Sequence, residues 1–224
     1  VTLLVRGYYT LLRFAFRLLY NEMAWSYDWV SRAVSWGNWR TWGRAALAHT
    51  AGPRVLEIAF GTGDILLDLH ASGFETYGLD ISPYMIEIAR RKLKRAGIHA
   101  PLVRGRAQEL PFISGFFDSI VITFPTSFVL QQSTLDELVR VLRPGGRLVI
   151  VDRASLRRPK LAARLIGWLY AITGQSYQGD SSEVDWFKRC GWQAVEYEQH
   201  LASSVVHLFV LQPIRSSSEA LPFP

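Results

Sequence analysis

The sequence predicts an α/β fold: a seven-stranded, mostly parallel sheet with an antiparallel last strand and a helical cap on its N-terminal side. Three observations point there. Downstream of Gly52-Pro53, short apolar runs alternate with amphipathic stretches, the pattern of a parallel sheet covered by helices on both faces. Glycines fall where helices should stop, at Gly73, Gly97, Gly145 and Gly191. The last two apolar runs are joined by only a short connection, which suits an antiparallel pair.

Residues 3–20 read as a helix with a wide apolar arc. Arg6, Arg13 and Arg17 fall on one stripe, across from Leu4, Leu11, Phe14 and Leu18. Residues 21–50 also read as helical and carry Trp25, Trp29, Trp36, Trp39 and Trp42. After the Gly52-Pro53 break, strands are expected at 54–59, 75–80, 101–104, 117–124, 146–152, 192–199 and 205–212. Helices are expected at 63–72, 82–96, 131–142 and 161–172. The organisation that follows is a cap over 1–50, a single domain over 51–212 and a frayed tail over 213–224.

Composition bounds the function. The chain has 224 residues, of which 49% are hydrophobic, enough for one large core and too apolar for wholesale disorder. The lone Cys190 excludes an internal disulfide and a cysteine-rich metal site; no metal is expected, and a cytoplasmic setting is. No uncharged apolar run reaches ~18 residues, so no membrane-spanning helix is expected. Arginines interrupt the apolar N-terminus and no small-residue cleavage site follows, which argues against a signal peptide.

The net charge is +6, which favours an anionic partner. Arg153, Arg157, Arg158, Lys160 and Arg164 cluster without an acid, and the apolar stretch Leu161–Ile172 follows. Residues 3–20 and 157–172 therefore read as two basic amphipathic elements. They suit peripheral contact with the inner membrane surface, or a lid over a pocket, or both. A nucleic-acid footprint would set basic residues among polar ones, and that pattern is missing.

The chemistry concentrates after the first strand. Val55–Ala59 is a buried-strand run, and a helix begins near Gly63. Gly61 and Gly63 let the backbone pass close to a ligand, and the helix N-terminus offers free N–H groups to an anionic group. Asp80 ends the next strand 17 residues after Gly63, near the ~20-residue offset of an acid that binds a ribose diol. The alternative is that Asp80 caps the following helix, a task Ser82 can perform equally well. The segment 104–112 follows the third strand and faces the same crevice, where it can hold an adenine.

In this order the elements resemble the class I methyltransferases that use S-adenosylmethionine (SAM). Within them the chain is most similar to the ubiquinone/menaquinone biosynthesis C-methyltransferase family. Residues 55–64 match the family's VLD-x-A-x-GTGD turn, including the alanine at 59; Tyr27-Asp28, Ser35, Gly37, Arg40 and Trp42 resemble its YD…SxG…RxW segment; residues 137–146 are similar to its ExxRVLKPGG block. The resemblance implies a Rossmann-like methyltransferase fold and SAM as cofactor. The binding residues it and the turn point to are Glu57, Ala59, Gly61, Thr62, Gly63, Asp80, Ile81, Arg106, Ala107, Gln108 and Thr123. The family usually carries Asn or Asp where Arg106 stands. Arginine has no acceptor for an adenine amino group, so the backbone or Gln108 takes that part.

For the acceptor, the resemblance implies a quinone precursor or another hydrophobic small molecule. Ser127 and Phe128 stand where the family has an Arg-Asn pair, and the segment between the fifth and sixth strands is short. Two further readings stay open: a phospholipid amine N-methyltransferase, favoured by the basic amphipathic elements, and a SAM-binding protein without transferase activity. Methyl transfer from a sulfonium needs mainly positioning, but a carbon or oxygen acceptor often needs a base. Candidates are Tyr27, placed over the cofactor by the resemblance, then His207 and Tyr177. His207 sits in an apolar strand run, so a structural role competes with a catalytic one.

Overall fold

The computed structural model describes Ser35, residues 37–156 and residues 182–214. The expected helices at 3–20 and 161–172 and the tail beyond 214 lie outside the described residues. A short helix α1 (Trp39–Gly43) runs into a 3-10 turn at Arg44–His49. Then β1 (Arg54–Ile58), α2 (Asp64–Ala71), β2 (Glu75–Asp80), α3 (Pro83–Arg95) and β3 (Leu102–Arg104) alternate. They are followed by β4 (Phe117–Thr123), α4 (Gln132–Val141), β5 (Leu142–Leu156), α5 (Ser182–Arg189), β6 (Trp192–His200) and β7 (Ser204–Pro213).

The seven strands form one sheet in the order β3-β2-β1-β4-β5-β7-β6. Strands β1 to β5 pair in parallel, and β7 runs antiparallel between β5 and β6. The strand order reverses between β1 and β4, which opens a crevice at their carboxyl ends.

Period-two alternation splits the core in two. Val55, Val121, Val149 and Val151 face α1, the 3-10 turn and α2, where Trp42, Ile65 and Leu69 pack on them. Leu56, Ile58, Ile120 and Ile122 face the other way, with Leu135 and Leu138 of α4 and Phe187 of α5.

Two expectations are corrected. Gly73, Gly97 and Gly191 end helices, each in the left-handed region and each donating to the carbonyl three residues back. Gly145 does not. It belongs to an excursion within β5, which pairs Leu142 with Phe117, loops out through Arg143-Pro144-Gly145-Gly146, and resumes with Arg147 opposite Ser119. The pairing on both sides of this loop, and with β7 as far as Leu156, makes β5 longer than 146–152 at both ends.

The N-terminal segment is tied to the sheet by groups distant in sequence. The Ser35 hydroxyl accepts from the Trp39 N–H at 2.9 Å, just ahead of α1. Arg40 forms a two-pronged pair with Asp68 of α2, both contacts at 2.8 Å. The Trp42 indole N–H donates to the buried Ser204 hydroxyl at 2.8 Å.

Candidate cofactor site at the glycine turn

The turn after β1 is built from left-handed residues at alternate positions: Ala59 (φ 57°), Gly61 (φ 55°) and Gly63 (φ 80°). Each does something different. Ala59 accepts the conformation at a cost of about 1–2 kcal/mol. A Cβ on Gly61 would meet nothing within 4 Å, so this position is left open for a ligand. A Cβ on Gly63 would lie 2.8 Å from the Ala89 Cβ, so glycine lets α3 close on the turn. Phe60, between them, is buried over Gly78, whose added Cβ would collide with its ring at 2.7 Å.

Asp80 locks this turn to the end of β2. Its Oδ2 accepts from Gly61 N–H at 2.9 Å and its Oδ1 from Ser82 N–H at 2.8 Å. The helix cap belongs to Ser82, whose hydroxyl accepts from Met85 N–H, and not to Asp80. Burial pushes the Asp80 carboxyl up, and the N–H bonds from Ser82, Gly61 and Ile81 pull it back. A carboxylate accepts more than one bond per oxygen, so both remain able to receive ribose hydroxyls.

Glu57 shows the opposite balance. It is buried on β1 with Oε2 unpartnered among the described residues. Burial first, then the charges of Asp80, Asp64 and Asp68, pushes its carboxyl well above the usual range. It lines a cleft with Ala59, Gly61, Thr62 and Thr123. These are residues read from the sequence. Trp39, Arg40 and Phe124 complete its wall.

Phe124 carried no sequence signal as a wall residue, yet it is non-glycine at φ 51° and stacks 4.3 Å from the Trp39 ring. Lys92 of α3 was also missed. Its Nζ donates to the Thr62 hydroxyl at 2.9 Å and to Asp64 at 3.0 Å. A basic residue in a helix's last turns looks like ordinary surface charge, so nothing in the sequence marked it.

The loop after β3 is tied to the end of β2. Gly105 N–H donates to the Asp80 carbonyl at 3.1 Å, and Ile81 beside it is 61% exposed. Ala107 is buried, Arg106 is exposed, and the Gln108 carboxamide donates to Gln131 at 2.8 Å. The loop is held from behind by α4. Glu137 accepts from Leu110 N–H at 2.6 Å, and Arg140 donates to the carbonyls of Phe112 and Leu110. The acid and arginine of the ExxR block thus shape this loop.

Residues 15–177 match the model of the ubiE/COQ5 methyltransferase family. The chain belongs to this family. A demethylmenaquinone methyltransferase of Clavibacter sepedonicus is 38% identical over 214 residues, covering 85% of this chain and 86% of that one. One of Thermus thermophilus is 39% identical over 140 residues, covering 60% of this chain and 64%, just under two thirds, of that protein. A SAM-dependent methyltransferase of Aquifex aeolicus superposes with a TM-score of 0.59 at 18% identity, over 75% of this chain and 88% of that one, a likeness of fold.

The ubiE/COQ5 assignment, the Rossmann-like methyltransferase fold and SAM as cofactor are borne out. The cleft fits that cofactor: a buried carboxylate oxygen without a partner suits an ammonium group, and the turn at Gly61 leaves room for it. Of the suggested bases, Tyr27 and Tyr177 lie outside the described residues. His207 lies away from the cleft lining, on β7 opposite Arg153 and Glu198.

Proposed function

We propose that this protein transfers a methyl group from SAM to a ring carbon of a quinone precursor. The observation that carries the reading is the cleft lined by Glu57, Gly61 and Thr62, whose turn Asp80 locks to β2, in a chain 38% identical over most of its length to a demethylmenaquinone methyltransferase. Glu57 takes the amino end of the cofactor and Asp80 the ribose. Gly61, Thr62 and Gly63 admit the chain between them. Ile81, Ala107 and the backbone at Arg106 and Gln108 hold the adenine, and Thr123 floors the site. When bound, the sulfonium supplies an electrophilic methyl group.

The acceptor side supports a flat apolar ring. Trp39 and Phe124 make an aromatic wall, and Trp42 meets Phe124 edge-on at 6.4 Å. A phospholipid amine would bring a phosphate. Among the described lining residues the one cation is Arg40, and Asp68 already engages it. Residues 1–50 act as the cap. With 157–172, residues 3–20 bring the site to a lipid surface where a prenylated acceptor resides. Among the described residues no helix is long and apolar enough to cross a membrane.

Methyl-labelled SAM offered with a prenylated naphthoquinol and with phosphatidylethanolamine tests the reading. Label is expected on the quinol ring. Label on the amine overturns the acceptor, and SAM binding with no labelled product leaves a binding protein. In liposome flotation, loss of residues 1–20 is expected to reduce capture.

A further inference from the structure

The amino-acid end of SAM carries an ammonium and a carboxylate side by side, and a cleft that holds it has to tell them apart. Helix α3 bears on this from behind the turn. Ile86, Ala89 and Leu93 are buried with Phe60 and Leu66, a spacing of three and four that lays one face of α3 on the glycine turn. Lys92 stands at the border of that face and is 24% exposed. Its Nζ donates to the Thr62 hydroxyl at 2.9 Å and to Asp64 Oδ1 at 3.0 Å. Both acceptors line the cleft, together with Glu57.

The chemistry of these three groups fixes a direction. An ammonium group only donates, whereas a hydroxyl can donate or accept. Towards Lys92 the Thr62 oxygen therefore accepts, and its own hydrogen is turned away from α3. Without the lysine the hydroxyl could rotate and take either part. Asp64 fixes the ammonium through a charge-assisted contact, and the lysine in turn offsets a negative charge on the cleft wall. That charge, left uncovered, would repel a carboxylate. Glu57 supplies the opposite character, a buried carboxyl with one oxygen unpartnered among the described residues. Arg40 lines the cleft too, but its Nε and Nη2 are directed to Asp68.

We propose that Lys92 is a positioning residue for the cofactor: it turns the Thr62 hydroxyl into a donor for the carboxylate of SAM, so that the amino-acid end enters in one orientation, ammonium to Glu57 and carboxylate to Thr62. This rests on the placement of that end given under the proposed function. Lys92 meets no reacting atom and acts through Thr62, with Asp64 holding it in place.

The consequence is selectivity among adenosine thioethers. S-adenosylhomocysteine keeps the amino-acid end, whereas methylthioadenosine keeps the adenine, ribose and sulfur and lacks it. Calorimetric titration of the full chain with each ligand tests the role. Lys92→Met keeps most of the stem and loses the donor. It is expected to weaken S-adenosylhomocysteine about ten-fold, as for one lost hydrogen bond to a charged group, and to leave methylthioadenosine within about two-fold of wild type. Lys92→Arg restores the charge and the donors and is expected to recover most of the loss. In a Thr62→Val background the lysine change is expected to have a much smaller effect, because the hydroxyl that it turns is gone.

Equal weakening of both ligands would mean that the lysine only braces the turn, and it overturns the role. Unchanged S-adenosylhomocysteine affinity in Lys92→Met does the same, as does a lysine effect undiminished in the Thr62→Val background. Wild type that binds methylthioadenosine as tightly as S-adenosylhomocysteine overturns the placement of the amino-acid end, and the role of Lys92 with it.

Discussion

Two buried carboxylates, Glu57 of β1 and Glu183 of α5, each have one oxygen without a hydrogen-bond partner among the described residues, and they reach that state differently. Glu57 belongs to a compact local device: β1, the turn and the end of β2, joined through Asp80. Glu183 belongs to a scattered one, in which α5, β5, β6 and β7 each contribute a charged group. The first is a cradle of backbone N–H groups, suited to a cofactor of fixed shape. The second is a network of side chains drawn from elements far apart in sequence.

Breaking the cradle should have the largest effect. Gly63→Ala places a Cβ 2.8 Å from Ala89 and holds an alanine at φ 80°. Strain and overpacking together should cost on the order of 2–4 kcal/mol in urea unfolding. Gly191→Ala is the control in the other half. It shares the positive φ, but its added Cβ meets nothing within 4 Å, so only the conformational term of about 1–2 kcal/mol should remain. Equal losses would show that the turn's close packing on α3 contributes little.

The same contrast explains what was legible in the sequence. The turn and Asp80 could be read because their partners lie close in the chain and their spacing is fixed by a βαβ unit. Strand positions followed from apolar runs, since the parallel strands are buried on both faces. Long-range partners were hidden. Arg40 finds Asp68 28 positions away, and Trp42 finds Ser204 162 positions away. His207 looked like a lone histidine because Arg153, Glu196 and Glu198 reach it only through antiparallel pairing. Phe124 and Ala59 adopt left-handed conformations that residues of their type rarely take, so composition could not announce them.

The pH dependence of stability separates the two buried acids next. In each, the folded state disfavours the charged form, so above the ordinary carboxylate pKa the native protein holds a proton that the unfolded chain has lost. Stability from this source is complete below that pKa and declines as pH rises. For Glu183 the decline runs from its ordinary value of 4.5 to about 7 and then levels off. Its size is at most about 3 kcal/mol. Glu183→Gln should flatten the curve across that window. Glu57→Gln should flatten it further up, since burial holds that carboxyl well above the usual range. If thermal melts of either variant tracked wild type across pH, that acid would not be held protonated.

Asp80 is raised by burial as well, but N–H bonds from Ser82, Gly61 and Ile81 offset part of that push. Asp80→Ala should weaken calorimetric SAM binding by about 1–3 kcal/mol, through the lost ribose contacts and the unsatisfied N–H groups of Gly61 and Ser82. Asp80→Asn keeps an acceptor for only one of those two N–H groups, so it should lose less. If alanine were tolerated without loss, the ribose role would be wrong.

The smallest effect tests how the segment carrying Trp42 is joined to β7. Trp42 buries its indole against Val121 and Val151 and donates to Ser204, which is itself fully buried. Trp42→Phe keeps an aromatic ring in the core but strands the Ser204 hydroxyl, which should cost about 1 kcal/mol. Ser204→Ala strands the indole N–H instead. The double variant removes both polar groups and should cost less than the two single losses combined. Additive losses would mean that the bond does not couple the cap to β7. The Trp42 segment would then be joined to β7 by apolar contact, with its ion pairs to Asp68 holding it to α2.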